Sequence, residues 1–218
     1  MQNKDLLYIE DDHKRKLFYR FTPATLISNF VPLIVILDEK KKDEGIHFEH
    51  KMWNVLTPVV NFGNKHKGSC WQGENGEYFV KDLLQRLIHE IAEAYECEDH
   101  IYLYGSSTGG YGAILHGILC GANAVYVQAS HTKLDPSNDT NIKIKSFYDF
   151  IFANTISNEK ELGNFLNATD TFPVFYLCDD RNDDTDTLKD ETAYLEDVCK
   201  KHDIKIHLDR CVKSEDDE

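Results

Sequence analysis

The residues best placed to do chemistry lie in Gly105-Ser106-Ser107-Thr108-Gly109-Gly110-Tyr111-Gly112. This stretch follows the apolar run Ile101-Tyr102-Leu103-Tyr104 and opens a helical pattern from Tyr111 to Leu119. Strand, Gly-x-Ser-x-Gly, helix is the context in which a serine is raised on a sharp turn as a nucleophile. Such a turn holds the serine in strained backbone and presses the residues two before and two after it against neighbouring elements, so Gly105 and Gly109 need to be small. The hydroxyl of Ser107 then stands above the sheet. The backbone N–H of Thr108, at the start of the next helix, points where an oxyanion would form. Ser107 rather than Ser106 is the expected nucleophile.

Other chemistries fit the residues less well. A phosphate-binding loop has the spacing from Gly105 to Gly110, but Tyr111 stands where the lysine is needed and no Ser or Thr follows. A dinucleotide fingerprint starting at Gly110 and Gly112 meets Leu115 where its third glycine belongs. Asp180, Asn182, Asp184, Asp186 and Glu191 fall at calcium-loop positions, yet Thr185 replaces the glycine of the sharp turn and a strand leads in. His47 and His50 lack the glutamate of a His-Glu-x-x-His zinc site. No metal is expected. The bland alternative for the serine stretch is a glycine-rich turn with two incidental serines.

The elements that must position Ser107 read as one domain. At 218 residues, 41% hydrophobic and 28% charged, the chain can bury a substantial core. Leu6–Glu10 and Lys16–Phe21 form a hairpin at a sheet edge, Val31–Leu37 is a strand buried on both faces, and Val55–Phe62 is a further strand. Helical spacing runs from Tyr78 to Tyr95. Beyond the serine helix come a strand at Ala124–Val127, a strand at Val174–Leu177, a helix near Leu188–Lys201 and a last strand at Ile204–Leu208. Alternating strands and helices imply a mostly parallel α/β sheet. The aromatic-rich segment between 131 and 170 reads either as a small lid or as a helix packed on the sheet.

The formal net charge of -14 argues against a nucleic-acid backbone or an anionic membrane as the main partner. Lys40-Lys41-Lys42 sits among acids and reads as a solvated loop. No apolar run has the length of a membrane span or a secretory leader, so a cytoplasmic location is expected. The six dispersed cysteines contain no Cys-x-x-Cys pair and are expected to be reduced and mostly packing.

The order of elements, with Gly105-Ser106-Ser107-Thr108-Gly109 at its centre, resembles the α/β-hydrolase superfamily over nearly the whole chain. The resemblance implies a three-layer fold with helices on both faces of a mostly parallel sheet, the chain ending without the closing helix. More narrowly, the run from Gly105 to Ala113 with Gly121-Ala122-Asn123 is similar to hydrolase-like domains of bacterial surface-polysaccharide and glycoprotein biosynthesis. The family places a second oxyanion donor after the Val31–Leu37 strand, at the backbone of Asp38 or Glu39. It places the triad acid after Val174–Leu177, where Asp183 is favoured and Asp180 is the alternative. The triad histidine should follow the last strand, but the residues from Asp209 to Glu218 contain none. His202 and His207 read as packing or surface residues, and His131, at the sheet end where the serine turn opens, is the remaining candidate. The expectation from family order is that the natural protein continues past Glu218 with a histidine and an amphipathic helix.

The implied activity is that of a serine esterase or acyltransferase acting on an acyl ester, such as an O-acetylated carbohydrate, without a cofactor. Trp71, Tyr111 and His131 are the expected substrate contacts, since aromatic surfaces suit sugar or acyl groups. The alternative is a non-catalytic hydrolase-like scaffold or binding module in a glycan assembly system, which leaves room for a protein partner.

Overall fold

The computed structural model describes residues 6–26, 28, 30–38, 49–59, 61, 69–128, 151, 171–180 and 186–211. Eight strands form one sheet in the order β1-β2-β4-β3-β5-β6-β7-β8. Strands β1 (Leu7–Glu10) and β2 (Lys16–Thr22) pair antiparallel, and β2 joins β4 (Asn54–Val59) antiparallel. From there the sheet is parallel through β3 (Leu33–Leu37), β5 (Ile101–Ser106), β6 (Ala124–Gln128), β7 (Val174–Asp180) and β8 (Ile206–Cys211). The strand that leads into the serine turn, β5, is central, flanked by β3 and β6.

Helix α1 (Phe79–Ala94) buries Phe79, Val80, Leu83, Leu84, Leu87, Ile88, Ile91 and Ala92 at three- and four-residue spacing, with Asp82 in its first turn where negative charge is favoured. Burying each of the larger residues contributes about 1.5–3 kcal/mol. Its entry is pinned by Arg15, whose guanidinium pairs with Asp11 at 2.6 Å and with Glu77, and lies 4.1 Å over the Phe79 ring. Helix α2 (Thr108–Leu119) is buried from Gly109 to Ile118, because it is apolar on every side and sits between β3, β5, β6 and α1. In helix α3 (Asp186–Lys201), Leu195 and Cys199 join Phe175 and Leu177 in the same core.

All three helices draw their buried residues into one core on one face of the sheet. On the opposite face Ile36, Val55 and Cys178 are buried outside that core, while Tyr102, Tyr126 and Tyr176 are exposed. One expectation is corrected: the cysteines are not all reduced, for Cys70, Cys97, Cys120 and Cys199 are free but Cys178 is disulfide-bonded. Four cysteines should therefore be alkylated on denaturation without reductant, and six after reduction, as mass spectrometry would count. No described helix is long and apolar enough to cross a membrane.

Candidate active site

Ser107 stands alone between strand β5 and helix α2, with φ 51° and ψ -126°. Positive φ in a residue with a Cβ is disfavoured by contact with its own backbone, so the surroundings must impose it. Two hydrogen bonds do so: the Ser107 N–H donates to the Gln128 carbonyl at 3.1 Å, and the Ser107 carbonyl accepts from Gly110 N–H at 3.0 Å. The first follows from register, because Ser106 lies opposite Gln128 where β5 and β6 end together. Ser107 itself is exposed, while Gly105 and Gly109 on either side are buried.

The glycines are sterically required. A Cβ on Gly109 would lie 2.9 Å from the Leu37 carbonyl carbon and closer still to its oxygen. One on Gly105 would lie 2.6 Å from the Gly109 carbonyl carbon and 2.9 Å from the Ala113 Cβ. The end of β3 and the start of α2 thus touch through backbone alone, and the Asp38 Cα lies 3.5 Å from the position a Gly109 Cβ would take. Thr108 is the first residue of α2, whose opening turn carries no acidic side chain. The positive dipole end of that helix is left available to an anion.

Next to the turn is a small polar group that sequence reasoning missed. Tyr104 Oη donates to Gln128 Oε1 at 3.2 Å, and the Ser106 side chain also hydrogen-bonds Tyr104. Burial raises the Tyr104 phenol above its ordinary pKa, with Tyr126 and Asp38 adding to the shift. The signal available was the parallel register, which places residues 104 and 106 beside 126 and 128.

Other expected site residues lie elsewhere. Asp180 is the last residue of β7, not a loop residue, two strands across the sheet from β5 and so about 10 Å away at ordinary strand spacing. Asp183, His131 and Glu39 lie outside the described residues. Trp71 and Tyr111 are 1% and 0% exposed, leaving neither a surface to offer a substrate. Trp71 lies directly against Gly112 of α2, and Tyr111 Oη accepts a hydrogen bond from buried Gln72 Nε2 at 3.1 Å. Both are bulky residues drawn into the contact between α2 and the turn before α1.

Histidine placement bears directly on the chemistry. His207 is exposed on β8 and stacks on Tyr176 with ring centroids 4.8 Å apart, and His202 lies 6.2 Å from the Phe172 ring. Both have the bland roles expected of them. His116, nine residues along α2 from Ser107, is fully buried between the Trp71 carbonyl at 2.9 Å from Nε2 and Gln85 Nε2 at 2.7 Å from Nδ1. The partners settle the tautomer: Nε2–H donates to the carbonyl and Nδ1 accepts from the amide. Burial lowers its pKa to about 4, against the raising effect of the Trp71 carbonyl and with help from Lys81. Among the described residues no histidine is hydrogen-bonded to Ser107.

The His116 shift has a stability consequence. The folded pKa lies below the unfolded one near 6.5, so the unfolded chain binds the extra proton first. This contribution is intact above about pH 6.5 and is lost as pH falls toward about 4, to a total of about 3 kcal/mol. In urea titrations across this window, His116→Gln should be less stable than wild type at pH 7 and show a shallower loss on acidification. A variant with the wild-type pH slope would show that another group carries it.

No protein-family model and no curated protein sequence matches the chain. Solved structures do. The capsule O-acetyltransferase of Neisseria meningitidis serogroup A is 16% identical, with a TM-score of 0.65 over 94% of this chain and 86% of that one. A histidine-to-alanine mutant of that transferase, in complex with CoA, gives 16% identity and a TM-score of 0.62 over 98% and 89%. An S-formylglutathione hydrolase from Agrobacterium tumefaciens gives 12% identity and a TM-score of 0.66 over 96% and 86%. With the strand order and the serine turn, these likenesses define the fold as that of the α/β-hydrolase type.

Proposed function

We propose that the chain is a serine esterase or acyltransferase in which Ser107 attacks an acyl carbonyl. The observation that carries this reading is the exposed serine held at φ 51° between β5 and α2, at the unneutralised start of a buried helix. Attack at the carbonyl carbon forms the Ser107 Oγ–C bond and moves the π electrons to oxygen. The Thr108 N–H would stabilise that oxyanion, with a second donor from the backbone of Asp38 or Glu39. Collapse expels the alcohol or thiol and leaves an acyl-serine, which water or a sugar hydroxyl then resolves.

A general base has to take the Ser107 proton. His131 is three residues beyond Gln128, whose carbonyl already holds the Ser107 N–H, so the chain limits their separation to about 11 Å along the backbone. Asp183, three residues beyond the end of β7, is the proposed orienting acid, with Asp180 the alternative. An O-acetylated carbohydrate is the proposed substrate class, supported by the likeness to a capsule O-acetyltransferase, a variant of which was solved with CoA. A cytoplasmic site of action is the proposed location, and it requires the Cys178 bond to be open in the cell.

The test is fluorophosphonate labelling followed by peptide mapping, with acetyl-CoA and simple acetyl esters as trial donors. Label on Ser107, lost in Ser107→Ala and strongly slowed in His131→Ala, supports the assignment. Activity that survives in His131→Ala places the base elsewhere. Absence of labelling and of turnover in wild type, across esters and acetylated sugars, favours the non-catalytic module instead.

A further inference from the structure

We infer that Tyr104 is a positioning residue for Ser107, acting through Gln128: its hydroxyl fixes the end of β6, whose last carbonyl holds the Ser107 N–H. For its effect on turnover the inference rests on the proposed role of Ser107, but the hold on the serine backbone stands without it.

Parallel register sets Tyr104 opposite Tyr126 and Ser106 opposite Gln128, and the period of two along each strand puts all four side chains on one side of the sheet. Gln128 is thus one strand across and two residues along from Tyr104, about 8 Å between backbones at ordinary spacing. The two side chains close that gap, with Tyr104 Oη donating to Gln128 Oε1 at 3.2 Å. Ser106 hydrogen-bonds the same phenol, and the Tyr126 ring stacks on that of Tyr104 with centroids 5.9 Å apart at 15°. The ring is held from two sides. Gln128 therefore makes two bonds toward β5, one from its side chain to Tyr104 and one from its carbonyl to the Ser107 N–H at 3.1 Å.

The place of Gln128 in the sheet makes the first of these bonds matter to the second. Gln128 is the last residue of β6, so the bond that it accepts from Ser107 is the final rung between β5 and β6. Ladder ends open more readily than ladder middles. The strained φ of 51° at Ser107 persists only while its surroundings impose it, and the Gln128 rung is one of the two backbone bonds that do so. Opening that rung lets the serine relax and moves Oγ relative to the start of α2. The phenol also adjoins the other wall of the site. Burial first, then Tyr126 and the Asp38 carboxylate just past β3, hold its pKa above the ordinary value, so the hydroxyl remains a donor at neutral pH.

Residue-resolved amide hydrogen exchange and ester turnover on the 218-residue chain test this together. In Tyr104→Phe the Ser107 amide should exchange at least about tenfold faster, while that of Leu103, in the middle of β5, is unchanged. With p-nitrophenyl acetate, kcat should fall about fivefold at nearly constant KM, since the loss lies in the reacting geometry and not in binding. Gln128→Met removes the acceptor and should reproduce both effects, and the double variant should add little to either single change because one bond is lost in all three. Tyr102→Phe, which alters an exposed phenol two residues back on the same strand, leaves both readouts at wild-type values. Circular-dichroism melts check folding; if Tyr104→Phe does not fold, Gln128→Met carries the test. Unchanged Ser107 exchange overturns the inference, whatever the turnover. Faster exchange with unchanged kcat, in an enzyme that Ser107→Ala inactivates, overturns the positioning role. Faster exchange in a chain without Ser107-dependent turnover upholds the hold on the serine and rejects the esterase reading alone.

Discussion

Ser107→Ala is expected to lower acyl-ester turnover by at least about a thousandfold, measured first with p-nitrophenyl acetate, while Ser106→Ala loses less than about tenfold. The two serines adjoin in sequence but differ in setting. Ser106 is the last residue of a regular strand, with its side chain hydrogen-bonded to Tyr104. Ser107 is exposed on the turn, with the helix start immediately behind it. Deleting the Ser107 hydroxyl removes the atom that would bond to carbon, and the oxyanion donors can then assist only direct attack by water. Deleting the Ser106 hydroxyl removes one hydrogen bond to a neighbouring phenol, which costs about 1 kcal/mol and moves the turn little. Equal rates for wild type and Ser107→Ala would leave the serine turn as architecture without this chemistry.

Gly109→Ala is expected to destabilise the fold by about 3 kcal/mol or more, at the upper end of overpacking effects, with an unchanged denaturant slope. The methyl group would meet the Leu37 carbonyl, a backbone group fixed at both ends by parallel pairing of β3 with β5. Neither element can retreat alone. Moving α2 disturbs its contacts with β5 and β6, and moving the end of β3 breaks the Leu37–Gly105 register. Urea unfolding measures the loss directly. A cost under about 1 kcal/mol would mean that the end of β3 yields more readily than its pairing suggests. Gly105→Ala should behave similarly, and the double variant should cost less than the sum because both methyls crowd the same helix start.

The sheet and the serine turn were legible because both rest on local rules. Apolar runs of strand length, the helical spacing of Leu83, Leu84, Leu87, Ile88 and Ile91, and glycines two residues either side of Ser107 all report their own backbone. Where tertiary contact decides, legibility fails. Strand β7 continues through Asp179 and Asp180, residues with little strand preference, because ladder pairing with β8 extends as far as Cys211. Trp71 and Tyr111 have the residue types of a binding surface, yet the approach of α2 to the preceding turn buries them. His116 reads as one more helix residue, and only the fold brings Gln85 and the Trp71 carbonyl to its two ring nitrogens.

The bond at Cys178 ties this chain to the chemistry of its surroundings. Cys178 lies in the strand that leads toward the proposed acid, and is itself 3% exposed. Cytoplasmic thiol buffers keep such bonds open, whereas secretory and periplasmic spaces preserve them. Protein recovered from its native cells under acid quench would therefore carry a record of its compartment. A closed bond would move the site of action outside the reducing cytoplasm and recommend an export-competent host for expression, while an open thiol in freshly quenched material would place the chain in a reducing compartment.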